Sequence, residues 1–294
     1  MSAQRVCFAS LLAFSLAACQ PAPVDSPASS QPAVDARADS AHGEPIAGSS
    51  VAPAGVALTA KGEHAATPRY KIDIDYPSLS AEEAPLAATL HKVAALAKQE
   101  FLQALPDPHR FPEFADRQMR LLIDFRIAAR TPDLVSVRET GMQDTGGAHP
   151  IPIDSTIVYD VRAHRTVPLD DLFIDADAAR KALADYARTE LTRKIMSQAP
   201  RPGEGSPGAI AEWKTNARKM IDDGTQPTTQ NFANFIVRAG ADSNAPSPGL
   251  ILIFPPYQVA AYVYGTQTVD VPDPVFMHYL KPQYHAAFGR TAVE

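Results

Sequence analysis

The sequence predicts an α+β fold in which antiparallel sheets pack against two or three helices lying on one face. Several segments alternate apolar and polar residues with a period of two, and others carry apolar residues at helical spacing. Short turn-forming stretches separate consecutive strands. Strands joined by hairpins, with the helices segregated from them, are typical of an α+β protein.

Composition narrows the possible classes of protein. The 294 residues include 27 Lys+Arg and 33 Asp+Glu, which gives a net charge of −6, and 45% are hydrophobic. This balance fits a globular protein and excludes a polytopic membrane protein or a wholly disordered chain. The acidic charge argues against a nucleic-acid partner, because phosphate binding requires a basic surface.

The N-terminus is typical of a bacterial lipoprotein signal peptide. Arg5 precedes an apolar run that is too short for a mature membrane span, and the run ends in a Leu-Ala-Ala-Cys sequence that resembles a lipobox. We therefore expect residues 1–18 to be removed and Cys19 to be lipidated. Gln20 then favours the outer membrane, with the protein facing the periplasm. The alternative is an ordinary signal peptide that happens to contain a cysteine.

The remaining chain divides by composition into three parts. Residues 19–68 lack aromatic residues and are rich in Ala, Pro and Ser, which predicts a disordered tether. Residues 69–145 are expected to form an N-terminal α+β subdomain, and residues 146–294 a C-terminal domain. Cys7 and Cys19 are the two cysteines, so the mature protein would fold without a disulfide.

Residue patterns predict the elements in order. In the first part we expect a strand over 70–76, a capping box at 80–83, a helix over 86–101, and strands over 121–129 and 134–142. In the second part we expect a strand over 151–161, a helix capped by Asp175 or Asp177, and a helix over 210–221 with Gly224 as its C-cap. Strands over 232–237, 250–254 and 266–271 follow, the last at a sheet edge.

Three sequence elements in this order resemble a known family. They are Gly146-Gly147-Ala148-His149, the stretch Val167-Pro-Leu-Asp-Asp-Leu-Phe173, and Gly249-Leu-Ile-Leu-Ile-Phe-Pro-Pro-Tyr257 continuing to Tyr262 and Gly265. Together they resemble the extracytoplasmic domain of RsiV, the lysozyme-sensing anti-sigma factor, which also occurs beside some peptidoglycan deacetylases. The resemblance covers about residues 69–280.

The resemblance implies a binding role. The sigma-binding segment, the membrane helix and the metal-dependent catalytic domain of those relatives have no counterpart in the 294 residues. What it implies here is a module that binds a lysozyme-like or other wall-active protein, or peptidoglycan itself.

Two segments are the candidate partner-binding residues. The first is the loop Gly146, Gly147, Ala148 and His149, whose glycines would permit close approach of a partner. The second contains Pro255, Pro256, Tyr257 and Tyr262, where rigid prolines precede amphipathic tyrosines suited to an interface.

The sequence carries no recognisable catalytic, metal-binding or nucleotide-binding motif. His149 could act as a general base, although a turn residue before Pro150 is the simpler interpretation. We therefore expect no enzymatic activity, no metal and no cofactor. The leading hypothesis is a lipid-anchored periplasmic inhibitor, immunity protein or sensor. The alternatives are a structural peptidoglycan- or glycan-binding module and, third, an enzyme that modifies wall polymers.

Overall fold

A computed structural model describes residues 62–201, 203–242 and 245–289 of the chain. The predicted signal peptide, Cys19 and most of the predicted tether lie outside these residues. The tether prediction is wrong at its C-terminal end, because Glu63–Ala66 forms a strand. The small and polar residues of this segment do not show the apolar alternation of a strand. The strand is stabilised by pairing with residues 71–74 rather than by burial.

The structure confirms the α+β class and contains two sheets and three α-helices in the described residues. The strands of the large sheet, numbered in chain order, are β1 (Glu63–Ala66), β2 (Tyr70–Asp75), β3 (Met119–Arg130), β4 (Leu134–Asp144), β5 (Ile151–Asp160) and β6 (Arg165–Thr166). Those of the small sheet are β7 (Phe235–Val237), β8 (Gly249–Phe254) and β9 (Gln267–Pro272). The helices are α1 (Ala84–Gln103), α2 (Ala176–Met196) and α3 (Pro207–Gly224).

One strand pair of the large sheet departs from the predicted antiparallel arrangement. Strands β2 and β3 run parallel, whereas the other pairs in both sheets are antiparallel. The reason is α1, which lies between β2 and β3 in the chain. This helix returns the chain to the end of the sheet where β2 began, so that β3 runs in the same direction as β2. Ser80 begins this crossover as predicted, since its N–H donates to the Glu83 carboxylate at 2.8 Å.

The helices lie on both sides of the large sheet rather than on one face. Alternate residues of β4 point in opposite directions, so Val135 and Val137 pack against α1 while Leu134 packs against α2 and the small sheet. Two hydrophobic cores result, one on each face. The predicted division at residue 145 falls in the turn between β4 and β5, and the strands on its two sides are paired over ten positions.

Two hydroxyl groups join the small sheet to the large one. Strand β7 is an edge strand, and its outward N–H groups at Phe235 and Val237 donate to Thr156 Oγ1 and Ser136 Oγ, each at 2.9 Å. Ser136 is fully buried at 0% exposure. The edge of one sheet is therefore satisfied by side chains on the face of the other, which removes the cost of burying unpaired amides.

Gly224 is not the C-cap of α3 as predicted, because the cap position is taken by Thr225. Gly224 is the last residue of α3, and a Cβ there would lie 2.1 Å from the Gln258 carbonyl oxygen. The helix end and the segment after β8 approach each other so closely that no side chain fits between them. Asp175 is confirmed as the N-cap of α2, where its carboxylate accepts from the Ala178 N–H at 3.0 Å.

Removing either hydroxyl should destabilise the junction between the sheets. We expect Ser136→Ala and Thr156→Ala each to lower the free energy of unfolding by about 1–3 kcal/mol, because each leaves a buried N–H without a partner. Thr156→Ser keeps the acceptor and should retain most of the stability. Urea denaturation of the variants measures this, and an unchanged midpoint for Ser136→Ala would show that the bond contributes nothing.

Candidate functional site

The two predicted binding segments meet in space. The Tyr257 hydroxyl lies 3.2 Å from His149 Nε2, although the two residues are 108 positions apart in the chain. The rings of His149 and Tyr262 stack with centroids 4.6 Å apart and an interplanar angle of 23°. The rings of Tyr257 and Tyr262 lie 5.5 Å apart. We call His149, Tyr257 and Tyr262 the aromatic cluster.

The aromatic cluster is open to solvent. Tyr257 is 55% exposed and Tyr262 is 36% exposed, and the neighbouring Val263 reaches 83%. Isolated exposed apolar residues are ordinary on a protein surface, but here aromatic and aliphatic side chains are contiguous. Such a patch is typical of a protein-binding or ligand-binding surface.

The turn between β4 and β5 holds His149. Gly146 adopts a left-handed φ of 96°, and a Cβ there would lie 2.7 Å from the Phe114 ring. Its N–H donates to Asp144 Oδ1 at 3.0 Å, and Arg117 Nη2 lies 3.0 Å from both oxygens of that carboxylate. Burial acts to raise the pKa of Asp144, but the Gly146 N–H and the Arg117 guanidinium outweigh it and lower the pKa. The carboxylate thus stays charged and fixes the turn.

The segment after β8 holds the two tyrosines. Tyr257 has a φ of 73°, a conformation that is unfavourable for a residue with a bulky side chain. The turn is fixed by its neighbour Gln258, whose side-chain amide donates to the carbonyls of Gly224 and Asn231 at 3.0 and 2.9 Å. Val259 and Ala260 are buried below it. The unfavourable backbone conformation of Tyr257 is therefore held by the contacts of its neighbours, and the Tyr257 side chain is left exposed.

An ion pair between β4 and β5 fixes the other end of the same segment. Arg138 Nε and Nη2 donate to the two oxygens of Asp154 at 2.9 and 2.8 Å. The Thr266 hydroxyl donates to the same carboxylate. Because Asp154 lies on β5 and Thr266 follows the tyrosines, the contact fixes the segment beside the strand that begins after His149.

The hydrogen bonds of His149 define its role in the cluster. Its Nδ1 lies 3.1 Å from the Pro150 carbonyl oxygen, which can only accept, so Nδ1 carries a proton and donates to it. Its Nε2 faces the Tyr257 hydroxyl at 3.2 Å. The imidazole is therefore a stacking and orienting group between two phenols.

The other predicted site residues have different surroundings. Gly147 and Ala148 are exposed in the turn, while Pro255 and Pro256 are half-buried before Tyr257. Sequence reasoning missed Val263, whose position between two tyrosines resembles ordinary strand alternation. It also missed the Arg138–Asp154 pair, because nothing in the sequence indicates that these two residues pair across β4 and β5 with Thr266 beside them.

One buried carboxyl lies apart from the cluster. Glu139 is on the face of β4 that packs towards α1, and the Ser155 hydroxyl donates to it. Burial raises the pKa of Glu139, and the Ser155 bond opposes the increase only in part. A buried group of this kind affects stability when it titrates.

The described residues contain no group of three or more His, Cys, Asp or Glu side chains that could hold a metal ion. Within the same residues, none of the helices is long and apolar enough to cross a bilayer.

A segment in the second half of the chain matches a family model. Residues 170–273 match the family described as "Protein of unknown function (DUF3298)". This DUF3298 match contains α2, α3, the small sheet and both tyrosines of the aromatic cluster, and it lies inside the predicted domain over residues 146–294. His149 lies outside it.

One curated relative is an enzyme named for its action on peptidoglycan. The chain is 22% identical over 213 residues to the peptidoglycan-N-acetylmuramic acid deacetylase PdaC of Bacillus subtilis. The alignment covers 72% of this chain and 39% of the deacetylase, so the chain spans well under half the length of this relative.

Two crystal structures of DUF3298 proteins resemble this structure. A member from Bacteroides fragilis aligns with a TM-score of 0.50 and 15% identity over 79% of this chain and 96% of the other. A protein from Pseudomonas aeruginosa aligns with a TM-score of 0.49 and 18% identity over 81% and 96% of the two chains. The Bacteroides structure supports a common fold.

Two adjacent glycines test how the His149 turn is built. Gly146→Ala combines an unfavourable φ with a clash against Phe114 and should lower the free energy of unfolding by about 1–3 kcal/mol. Gly147→Ala is the matched control, because a Cβ there would meet nothing closer than 3.7 Å. Thermal or urea denaturation compares the two variants, and equal stabilities would contradict this account of the turn.

Glu139 should make stability depend on pH. Because its folded-state pKa lies above the unfolded value, the carboxyl contributes stability below about pH 4 that is lost as pH rises through the folded pKa. We expect Glu139→Gln to remove this loss. The variant should therefore gain stability relative to the wild type as the pH is raised from about 4 to about 7. Urea denaturation across this range, with exposed Glu113→Gln as control, measures the difference, and a constant gap would contradict the prediction.

Proposed function

We propose that this protein is a lipid-anchored binding protein of the bacterial cell envelope that recognises a lysozyme-like or other wall-active protein. It would act as an inhibitor, an immunity protein or a sensor by covering the partner's active cleft. The aromatic cluster is the observation that carries the proposal. Its side chains are exposed, contiguous and held in place from both sheets, as residues that anchor a protein interface are.

Several further features support an envelope role. The Leu-Ala-Ala-Cys sequence that ends at Cys19 is typical of a lipobox and supports Cys19 as the lipid anchor. The resemblance to the RsiV-like domain points to lysozyme-like partners in the periplasm, and the related deacetylase acts, by its name, on peptidoglycan. The net charge of −6 would accelerate association with a cationic partner in a salt-dependent way.

We also propose that the protein performs no catalysis itself. The nitrogens of His149 are engaged by the Pro150 carbonyl and the Tyr257 hydroxyl, so the imidazole serves the cluster. The buried Glu139 lies on the α1 side of the sheet and is bonded to Ser155. These arrangements favour binding over acid–base chemistry.

Substitution of the cluster tests the proposal. We expect the purified protein to bind at least one member of a panel of muramidases with micromolar or better affinity in low and moderate salt. Tyr257→Ala and Tyr262→Ala should each weaken binding by about 2 kcal/mol, roughly 30-fold, because each removes an interface anchor. Surface plasmon resonance measures the dissociation constants.

The control is Ile174→Ala, which removes another exposed apolar side chain outside the cluster and should leave affinity unchanged. Failure of every muramidase to bind would overturn the proposal. Turnover of muropeptides that is abolished by His149→Ala would contradict the binding-only role.

A glycan-binding role is the alternative, favoured by the exposed phenol faces, on which sugar rings can stack. It expects the protein to sediment with purified sacculi in the absence of any muramidase. Loss of sedimentation in Tyr262→Ala would assign the cluster to the glycan instead of a protein.

A further inference from the structure

An apolar pocket lies between α3 and the segment that follows β8. One wall is a seam of α3 at helical spacing, with Trp213, Ala217 and Met220. The other wall is formed by Ala260 and Ala261 and by Tyr264, which belongs to the same 3-10 turn as Tyr262. Ile195 of α2 lies between the walls, and the volume is about 240 Å³.

The polar groups of the pocket are largely satisfied. The Trp213 indole N–H donates to the Tyr264 hydroxyl at 3.1 Å, and their rings meet at 67°. Asn216 is the other polar side chain among the lining residues, and no acidic or basic side chain lines the pocket. A ligand with many hydroxyls would leave most of them unpaired here, which disfavours a sugar ring.

The size of the pocket also limits its occupant. Sites for drug-sized small molecules usually enclose roughly 300–1,000 Å³, so this pocket is smaller than that range. It suits one apolar side chain, aliphatic or aromatic. Burial of such a side chain removes its apolar surface from water, as burial of a hot-spot residue does in a protein interface.

The pocket and the aromatic cluster share one turn of the chain. Tyr262 of the aromatic cluster begins this turn, the exposed Val263 is its second residue, and the third residue, Tyr264, lines the pocket. A protein that covers the exposed Val263 therefore also lies next to Tyr264, which lines the pocket. The segment that follows β8 thus contributes residues to both the aromatic cluster and the pocket.

We propose that the partner protein inserts one uncharged apolar side chain into the pocket between Trp213 and Tyr264. This inference rests on the proposed function and names a second anchor point of the same interface. The aromatic cluster contacts the surface of the partner, and the pocket receives a side chain from the partner.

Filling the pocket tests the inference. Ala217→Leu projects into the recess and should weaken binding to the tightest-binding muramidase of the panel by at least 10-fold. Ala211→Leu is the matched control, because it makes the same change at an exposed position on the other side of α3 and should leave affinity unchanged. Circular dichroism and thermal denaturation check that both variants fold.

A second variant keeps the test decisive if Ala217→Leu does not fold. Ala261→Leu fills the recess from the exposed opposite wall and should weaken binding in the same way.

Trp213 is the one tryptophan of the chain, so incorporation of 5-fluorotryptophan gives a single fluorine resonance at the pocket. That resonance should shift when unlabelled muramidase is added.

The outcomes separate the two proposals. Unchanged affinity in both pocket-filling variants overturns the pocket assignment, while weaker binding of Tyr257→Ala would still uphold the aromatic cluster. Absence of binding by the wild-type protein to every muramidase overturns both. Sedimentation with sacculi that Ala217→Leu abolishes, with muramidase binding unaffected, would assign the pocket to a glycan and overturn the inference.

Discussion

The arrangement of the molecule depends on the two hydroxyl groups that satisfy the edge of β7. A short edge strand laid across the face of another sheet would normally bury unpaired N–H groups, and Thr156 and Ser136 supply the missing acceptors. Because of these bonds, the small sheet can pack directly on the large one. The core on that side of the large sheet, with α2 against the small sheet, is built around this contact.

The aromatic cluster follows from the same junction. His149 comes from a turn of the large sheet, whereas Tyr257 and Tyr262 follow a strand of the small sheet. The residues meet because the sheets are docked and because Asp154 bonds Thr266 beside them. On its other side the tyrosine segment packs so closely against the end of α3 that only glycine fits at position 224. The tyrosine segment therefore contributes residues both to the aromatic cluster and to the apolar pocket.

Sequence patterns predicted the parts of the fold that local periodicity determines. The period-two alternation of β2 and β3, the capping box before α1 and the buried run of β8 correspond to the structure within a few residues. Periodicity carries no information on strand direction, so the parallel pairing of β2 and β3 was missed. Nor does it show what a hydroxyl bonds: Ser136 and Thr156 resemble ordinary strand residues, and their roles depend on a strand about 80 to 100 positions away.

The candidate site was predictable in part for a similar reason. The turn glycines and the Pro-Pro-Tyr sequence indicate turns with less common backbone conformations. His149 and Tyr257 lie in these two turns. Their mutual contact requires the docking of two sheets, which local patterns do not encode. The pocket beside Trp213 was not predicted, because a tryptophan at helical spacing with Ala217 is typical of a core position. Trp213 does pack against the core, but its side chain is only half-buried.

The stacking of His149 on Tyr262 also has a mechanical consequence. The imidazole moves with the large sheet and the phenol with the small sheet, so sliding one sheet over the other must separate the two rings. A molecule bound over both would resist that shear and would act as a brace across the seam. Occupancy of this surface would then reinforce the body that carries it.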